Sequence, residues 1–152
     1  LVTNYLPSLG LYFKSSIRPY FSIIAVFLNN QKMKKKIVVC DDDATILNVL
    51  ELALKNEFRD VYLVSKSIEL IASIEEIDPD IILLDIEMPW LSGGDILREL
   101  RSSEKHQNIP VIMMSASSRG KQIASACGAD AFLAKPFELD DLLLLVDKLG
   151  QA

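Results

Sequence analysis

The chain of 152 residues holds one histidine, two cysteines and one tryptophan. Two cysteines are too few for a disulfide framework. Cys40 lies in an apolar run and Cys127 in a helix-period segment, so both read as small buried hydrophobes in a reducing compartment. His106 stands in the polar stretch SSEKHQN, with no second histidine and no cysteine beside it. It reads as a solvated loop residue, not a metal ligand. Concentrated positive charge is also missing: the net charge is −5 and the basic residues are scattered, apart from Lys34, Lys35 and Lys36. That argues against a nucleic-acid partner. No apolar run approaches the ~20 residues that cross a bilayer. The longest, FSIIAVFL at 21–28, resembles the apolar part of a signal peptide but lacks a small-residue cleavage site after it. The expectation is a cytoplasmic protein.

Acidic residues are absent from residues 1–32, which carry Lys14, Arg18 and Lys32 among Tyr, Phe, Asn, Ser and Leu. Met33 opens MKKKIVV, a natural start for a cytosolic domain. Residues 1–33 are therefore expected to be an N-terminal extension, outside the native domain or poorly ordered; a membrane-surface anchor is the alternative. Residues 34–150 are expected to form one domain. Half of the chain's residues are hydrophobic, enough for a real core.

From residue 34 the pattern is regular. β-Rich runs occur at 37–40, 61–64, 81–84, 111–114 and 131–134, with helix-period segments at 44–57, 67–77, 94–103, 117–127 and 138–149. Four of the five runs are continuously apolar, as in a sheet buried on both faces. Fivefold strand–helix alternation predicts an α/β fold, a doubly wound parallel sheet with helices on both faces; if that sheet is flavodoxin-like, its strand order is 2-1-3-4-5.

In such a sheet, ligands bind beyond the carboxyl ends of the strands, where strand order reverses. Asp41 and Asp42 follow the first run, Asp85 the third, Ser115 the fourth and Lys135 the fifth. Polar residues at strand ends often only mark where the chain meets water. Three carboxylates and a lysine at one edge are poorly explained that way. Carboxylates so placed repel, and a proton or a cation must hold them together. Oxygen donors of this kind suit Mg²⁺, which shares its remaining positions with water and phosphate. Nucleophile, cation, lysine and hydroxyl are the parts needed to receive a phosphoryl group.

The stretch VVCDDDAT (38–45) admits two readings. As D-x-D-x-T it matches the opening motif of the haloacid-dehalogenase-type phosphatases, with Asp41 as nucleophile and Asp43 as acid/base. As an acidic pair closing a strand it resembles the first motif of a phosphorylation receiver domain. The later motifs favour the second: DIEMPWLSG (85–93), MSA (114–116) and KPF (135–137) follow in order. The phosphatase reading leaves Met88-Pro89 unexplained, places Asp85 too early and has no room for a cap domain. Asp43 is better read as capping the helix that begins near Ala44.

Over residues 34–149 the chain thus resembles the receiver domain of two-component response regulators. The resemblance implies that Asp85 is the phosphoacceptor. It implies Mg²⁺ or Mn²⁺ held by Asp42, Asp85 and the backbone carbonyl of Glu87, with Asp41 acting directly or through water. Ser115 and Lys135 would engage the phosphoryl group, Lys135–Pro136 would be cis, and Phe132 would be the switch aromatic coupled to Ser115. Gly93 or Gly94 would relax the turn into the third helix. The implied partners are a sensor histidine kinase or histidine phosphotransfer protein and a downstream protein target. Such a protein is a signalling switch, not an enzyme acting on external substrates.

Some residues go beyond that pattern. Glu87 and Ser117 flank the expected path of the hydrolytic water and are expected to tune phosphoryl lifetime. Trp90 stands in the loop beside Asp85. The last helix has more leucines than one buried stripe needs; Leu139, Leu143 and Leu144 are expected to form a partner or self-association face. The chain ends at Ala152, directly after that helix, so the expected output is protein binding. Chemotaxis-type target, relay intermediate and regulated kinase all remain open. A phosphohydrolase using Asp41 and a phosphorylation-independent receiver-like module are the alternatives.

Overall fold

The computed structural model describes residues 34–150; the expectations for residues 1–33 lie outside it. Five strands, β1 (Lys35–Cys40), β2 (Arg59–Val64), β3 (Ile81–Asp85), β4 (Val111–Ser115) and β5 (Ala131–Ala134), form one sheet in the order β2-β1-β3-β4-β5. All four pairings are parallel. The helices are α1 (Ala44–Leu54), α2 (Leu70–Ile77), α3 (Gly93–Ser102), α4 (Gly120–Cys127) and α5 (Leu139–Leu149). The doubly wound α/β fold and its strand order are those expected. No helix of the described residues is long and apolar enough to cross a membrane.

Side chains alternate along each strand, so the continuous apolar runs feed two cores. Val38, Cys40, Ile82, Leu84, Val111 and Met113 pack with residues of α2, α3 and α4, including Ile74, Leu97 and Ala124. Ile37, Val39, Ile81, Leu83, Ile112 and Met114 pack with residues of α1 and α5, including Leu50, Leu54 and Val146. Each fully buried Val, Leu, Ile or Met among them contributes about 1.5–3 kcal/mol over exposure.

Helix ends follow local chemistry. Asp43 caps α1, its carboxylate accepting from Thr45 N at 2.7 Å and Ile46 N at 3.4 Å. Helix α1 stops at Leu54, short of the expected 57, because Lys55 is already extended. A 3₁₀ turn at Ser67–Glu69 precedes α2, whose C-cap Asp78 adopts a left-handed conformation. Helix α4 begins at Gly120 instead of 117 and ends on left-handed Gly128.

His106 is buried, not solvated: only 4% of it is exposed. Its Nδ1 lies 3.3 Å from Ser103 Oγ and its Nε2 3.2 Å from Glu75 Oε1 of α2. The polar neighbours in sequence concealed packing against Glu75 of a helix that lies a whole strand–helix unit earlier in the chain.

Arg101 ties the end of α3 to the start of β5. Its guanidinium donates to the carbonyls of Gly128, Gln107 and Ile109 and to Asp130 Oδ2 at 2.7 Å. The same Asp130 oxygen accepts from Val111 N at 2.7 Å. Arg101→Met is expected to lower stability by about 2 kcal/mol, since it leaves carbonyls and a carboxylate without their charged donor. Urea denaturation measures this; an unchanged midpoint would mean water replaces the guanidinium.

Candidate functional site

Strand register builds the site. Cys40 pairs with Leu84, which brings Asp41, one residue on, level with Asp85. Asp85 pairs with Met114, and Ser115 with Ala134. Lys135 follows Ala134 directly, and its N–H donates to Ser115 O at 2.8 Å. The Lys135–Pro136 peptide is cis, as expected.

The Lys135 ammonium bridges the two central carboxylates, lying 2.6 Å from Asp41 Oδ2 and 2.5 Å from Asp85 Oδ1. Asp41 is 1% exposed and Asp85 3%, so both charges are withdrawn from water. Burial pushes the Asp85 carboxyl above its ordinary range, against the pull of Lys135; the charges of Asp41 and Glu87 add to the rise. Burial acts to strip the Lys135 proton, but its bonds to Asp41 and Asp85 outweigh this and raise its pKa. Asp41 also accepts from Asp43 N at 2.9 Å. Asp43 itself serves as the N-cap of α1, the role expected for it.

The remaining site residues divide. Asp42 is exposed, and among the described residues no three acidic, histidine or cysteine side chains converge as a metal-binding group. Ser115 is fully buried and donates to Glu87 Oε1 at 2.8 Å. Ser117 N donates back to Ser115 Oγ at 2.9 Å. Glu87 therefore uses its side chain, a contact that strand patterning could not reveal because it joins the β3–α3 loop to the end of β4. Phe132 is half-buried against the α2–α3–α4 core. A Cβ added at Gly120 would meet Ser115 Oγ at 2.7 Å and Phe132 Cζ at 2.9 Å, so both residues rest on the first turn of α4.

Gly93 serves close packing, not the turn freedom expected. A Cβ there would fall 2.1 Å from the carbonyl oxygen of Asp85. Ser67, which sequence reasoning missed, donates to Pro89 O at 2.8 Å and accepts from Leu91 N at 3.2 Å, joining the β2–α2 connection to the β3–α3 loop. Between those two contacts Trp90 is 71% exposed at φ 70°, a backbone region that bulky residues seldom occupy. Cys40 beneath the site is pushed up to about 12 by burial and by Asp41, Asp85 and Asp42, so it stays a thiol. Of the leucines in α5, Leu139 and Leu144 are exposed, whereas Leu143 packs on the α1–α5 core.

An apolar cavity of about 370 Å³ opens beside Lys135, between α1 and the β5–α5 connection, lined by Ile46, Val49, Ala116, Pro136 and Phe137.

Comparison with known proteins agrees with this architecture. The response regulator receiver domain family matches residues 37–147. The chain belongs to that family. It is similar to the receiver domain of the Francisella response regulator 1452, at 31% identity over 78% of this chain and 98% of that one, with a TM-score of 0.70. It is also similar to the receiver domain of sensor histidine kinase PA1611 from Pseudomonas aeruginosa, a structure with a magnesium ion coordinated in the active-site cleft. The identity there is 26%, over 78% of this chain and 99% of that one, and the TM-score 0.72. The BeF₃-activated DrrB receiver domain is 25% identical over 79% of this chain and all of that one, with a TM-score of 0.70; DrrB is a Thermotoga maritima protein. As a receiver domain of the two-component type, the chain has the fold of a signalling switch.

Proposed function

We propose that this receiver accepts a phosphoryl group on Asp85 from a histidine kinase or histidine phosphotransfer protein, in a Mg²⁺- or Mn²⁺-dependent reaction, and signals by protein–protein interaction. The observation that carries the reading is the Lys135 ammonium held between two buried carboxylates, with a buried hydroxyl at the end of the next strand. An Asp85 oxygen attacks phosphorus, the phosphohistidine P–N bond breaks as the new P–O bond forms, and the imidazole leaves.

The donor set fits a hard divalent cation. Two buried carboxylates face one ammonium, and the charge of Glu87 reaches Asp85 as well, so negative charge is in excess. Asp42, Asp85 and the Glu87 carbonyl would hold the ion, with Asp41 acting directly or through water; when bound it neutralises charge between carboxylates and phosphoryl oxygens. Lys135 then turns from Asp41 to the new phosphoryl group. Ser115 donates to that group, and Phe132 follows Ser115, biasing the face presented to a partner. Water hydrolyses the acyl phosphate and resets the switch, with Glu87 and Ser117 near its path. The apolar cavity between Ile46, Val49 and Phe137 adjoins Lys135, a suitable seat for the protein that carries the donor histidine. Exposed Leu139 and Leu144 on α5 suit the downstream target or a second copy of this chain.

Intact mass after incubation with acetyl phosphate and Mg²⁺ tests the reading. Wild type is expected to gain one phosphoryl group and Asp85→Asn none. Labelling that survives in Asp85→Asn and disappears in Asp41→Asn would restore the phosphohydrolase alternative.

A further inference from the structure

A serine hydroxyl carries a single hydrogen to donate. In Ser115 that hydrogen goes to Glu87 Oε1 at 2.8 Å, while Ser117 N fills an acceptor position at 2.9 Å. Ser115 is fully buried, so bulk water does not offer an easy intermediate partner. On the reading above, the same hydrogen is the one a phosphoryl group on Asp85 must receive. Serving both acceptors at once is impossible.

We propose that Glu87 is a positioning residue for the resting state: its carboxylate holds the Ser115 hydroxyl, and the phosphoryl group must outcompete it before the switch is thrown. This rests on the phospho-receiver reading and adds to it a competitor supplied by the protein itself. Glu87 lies two residues beyond the acceptor, in the β3–α3 loop, so the competition takes place within one turn of chain. The packing at Gly120 extends the effect. Ser115 Oγ and the tip of the Phe132 ring both rest against that glycine, at 2.7 and 2.9 Å from where a Cβ would stand. The hydroxyl that Glu87 holds thus shares its packing site with the ring.

Glu87 could also weaken anion binding simply by its charge, and the two causes are separable. Beryllofluoride with saturating Mg²⁺ serves as the probe, and Trp90 fluorescence as the readout. Four proteins form a cycle: wild type, Glu87→Ala, Ser115→Ala and the double variant. The expected result is that Glu87→Ala tightens beryllofluoride binding roughly tenfold when Ser115 is present and less than about threefold when it is absent. Glu87→Gln, which keeps an acceptor but not the charge, is expected to fall between wild type and Glu87→Ala. Equal tightening in both serine backgrounds would overturn the proposal in favour of bare charge repulsion. No tightening in either would overturn it outright. A folded wild type that takes neither beryllofluoride nor acetyl phosphate would remove the phospho-receiver reading, and the competition with it.

Discussion

In metal-free buffer near neutral pH, Lys135→Met is expected to lower the free energy of unfolding by about 3–5 kcal/mol, the usual consequence of removing one partner from a buried ion pair. The side chain's length and apolar stem are kept, so packing changes little. What is lost is the only ammonium in contact, within the described residues, with Asp41 and Asp85. Those carboxylates are 1% and 3% exposed, and water cannot take over the task. Two conditions should restore stability. Saturating Mg²⁺ would place positive charge among the same oxygens and stabilise by linkage. Acid would also help, because burial already raises the Asp85 carboxyl above its ordinary range. A carboxyl raised in the folded state takes up its proton there first. Stability is therefore lost as pH rises through the folded-state value and regained as pH falls below it. Urea denaturation with chelator, with Mg²⁺ and across the acid range measures all three. Equal stability of variant and parent in chelator would show that the carboxylates do not depend on this ammonium.

Gly93→Ala is expected to be nearly as damaging, costing at least about 3 kcal/mol. The added methyl would lie 2.1 Å from the Asp85 carbonyl oxygen, 3.0 Å from its carbonyl carbon and 3.1 Å from Ile86 Cα. All three are backbone atoms, so no rotamer change relieves the clash. Either α3 retreats from the sheet or the end of β3 shifts, carrying the Asp85 carboxylate with it. Phosphoryl uptake should therefore fall along with stability. Gly94→Ala is the control. Its nearest neighbour is Cys127 Sγ at 3.3 Å, and the gain in helix propensity of up to about 1 kcal/mol offsets a slight push on that side chain. Denaturation curves of the two variants should separate clearly; coincident curves would mean the loop yields more readily than its geometry implies.

The strands and both cores were legible because their signal is local: a continuous apolar run such as IILL announces a strand covered on both sides wherever it lies. Asp41, Asp85, Ser115 and Lys135 were legible for a related reason, since each directly follows such a run. What escaped were contacts between segments distant in sequence. SSEKHQN reads as solvated, yet His106 packs beside Glu75. Ser67 looks like any loop serine until the β3–α3 loop is laid beside it. The Glu87–Ser115 bond depends on how the β3–α3 loop folds over the end of β4, which no periodicity encodes. The helix bounds shifted for backbone reasons: an extended residue at Lys55 and a 3₁₀ turn before Leu70. Leu143 was assigned to an outer face because seven closely spaced apolar residues do not reveal which edge of the stripe meets the sheet.

The two hydrogen bonds of Ser67 have a mechanical consequence. They anchor the loop after β3 to the segment leading out of the edge strand β2, on the flank away from β4. On the opposite flank the same loop meets a hydroxyl, and that hydroxyl and an aromatic ring rest on a glycine. Two hydrogen bonds tie this loop on the β2 flank and one side-chain bond meets it on the β4 flank, so a displacement of the loop is expected to be resisted more toward β2 than toward β4.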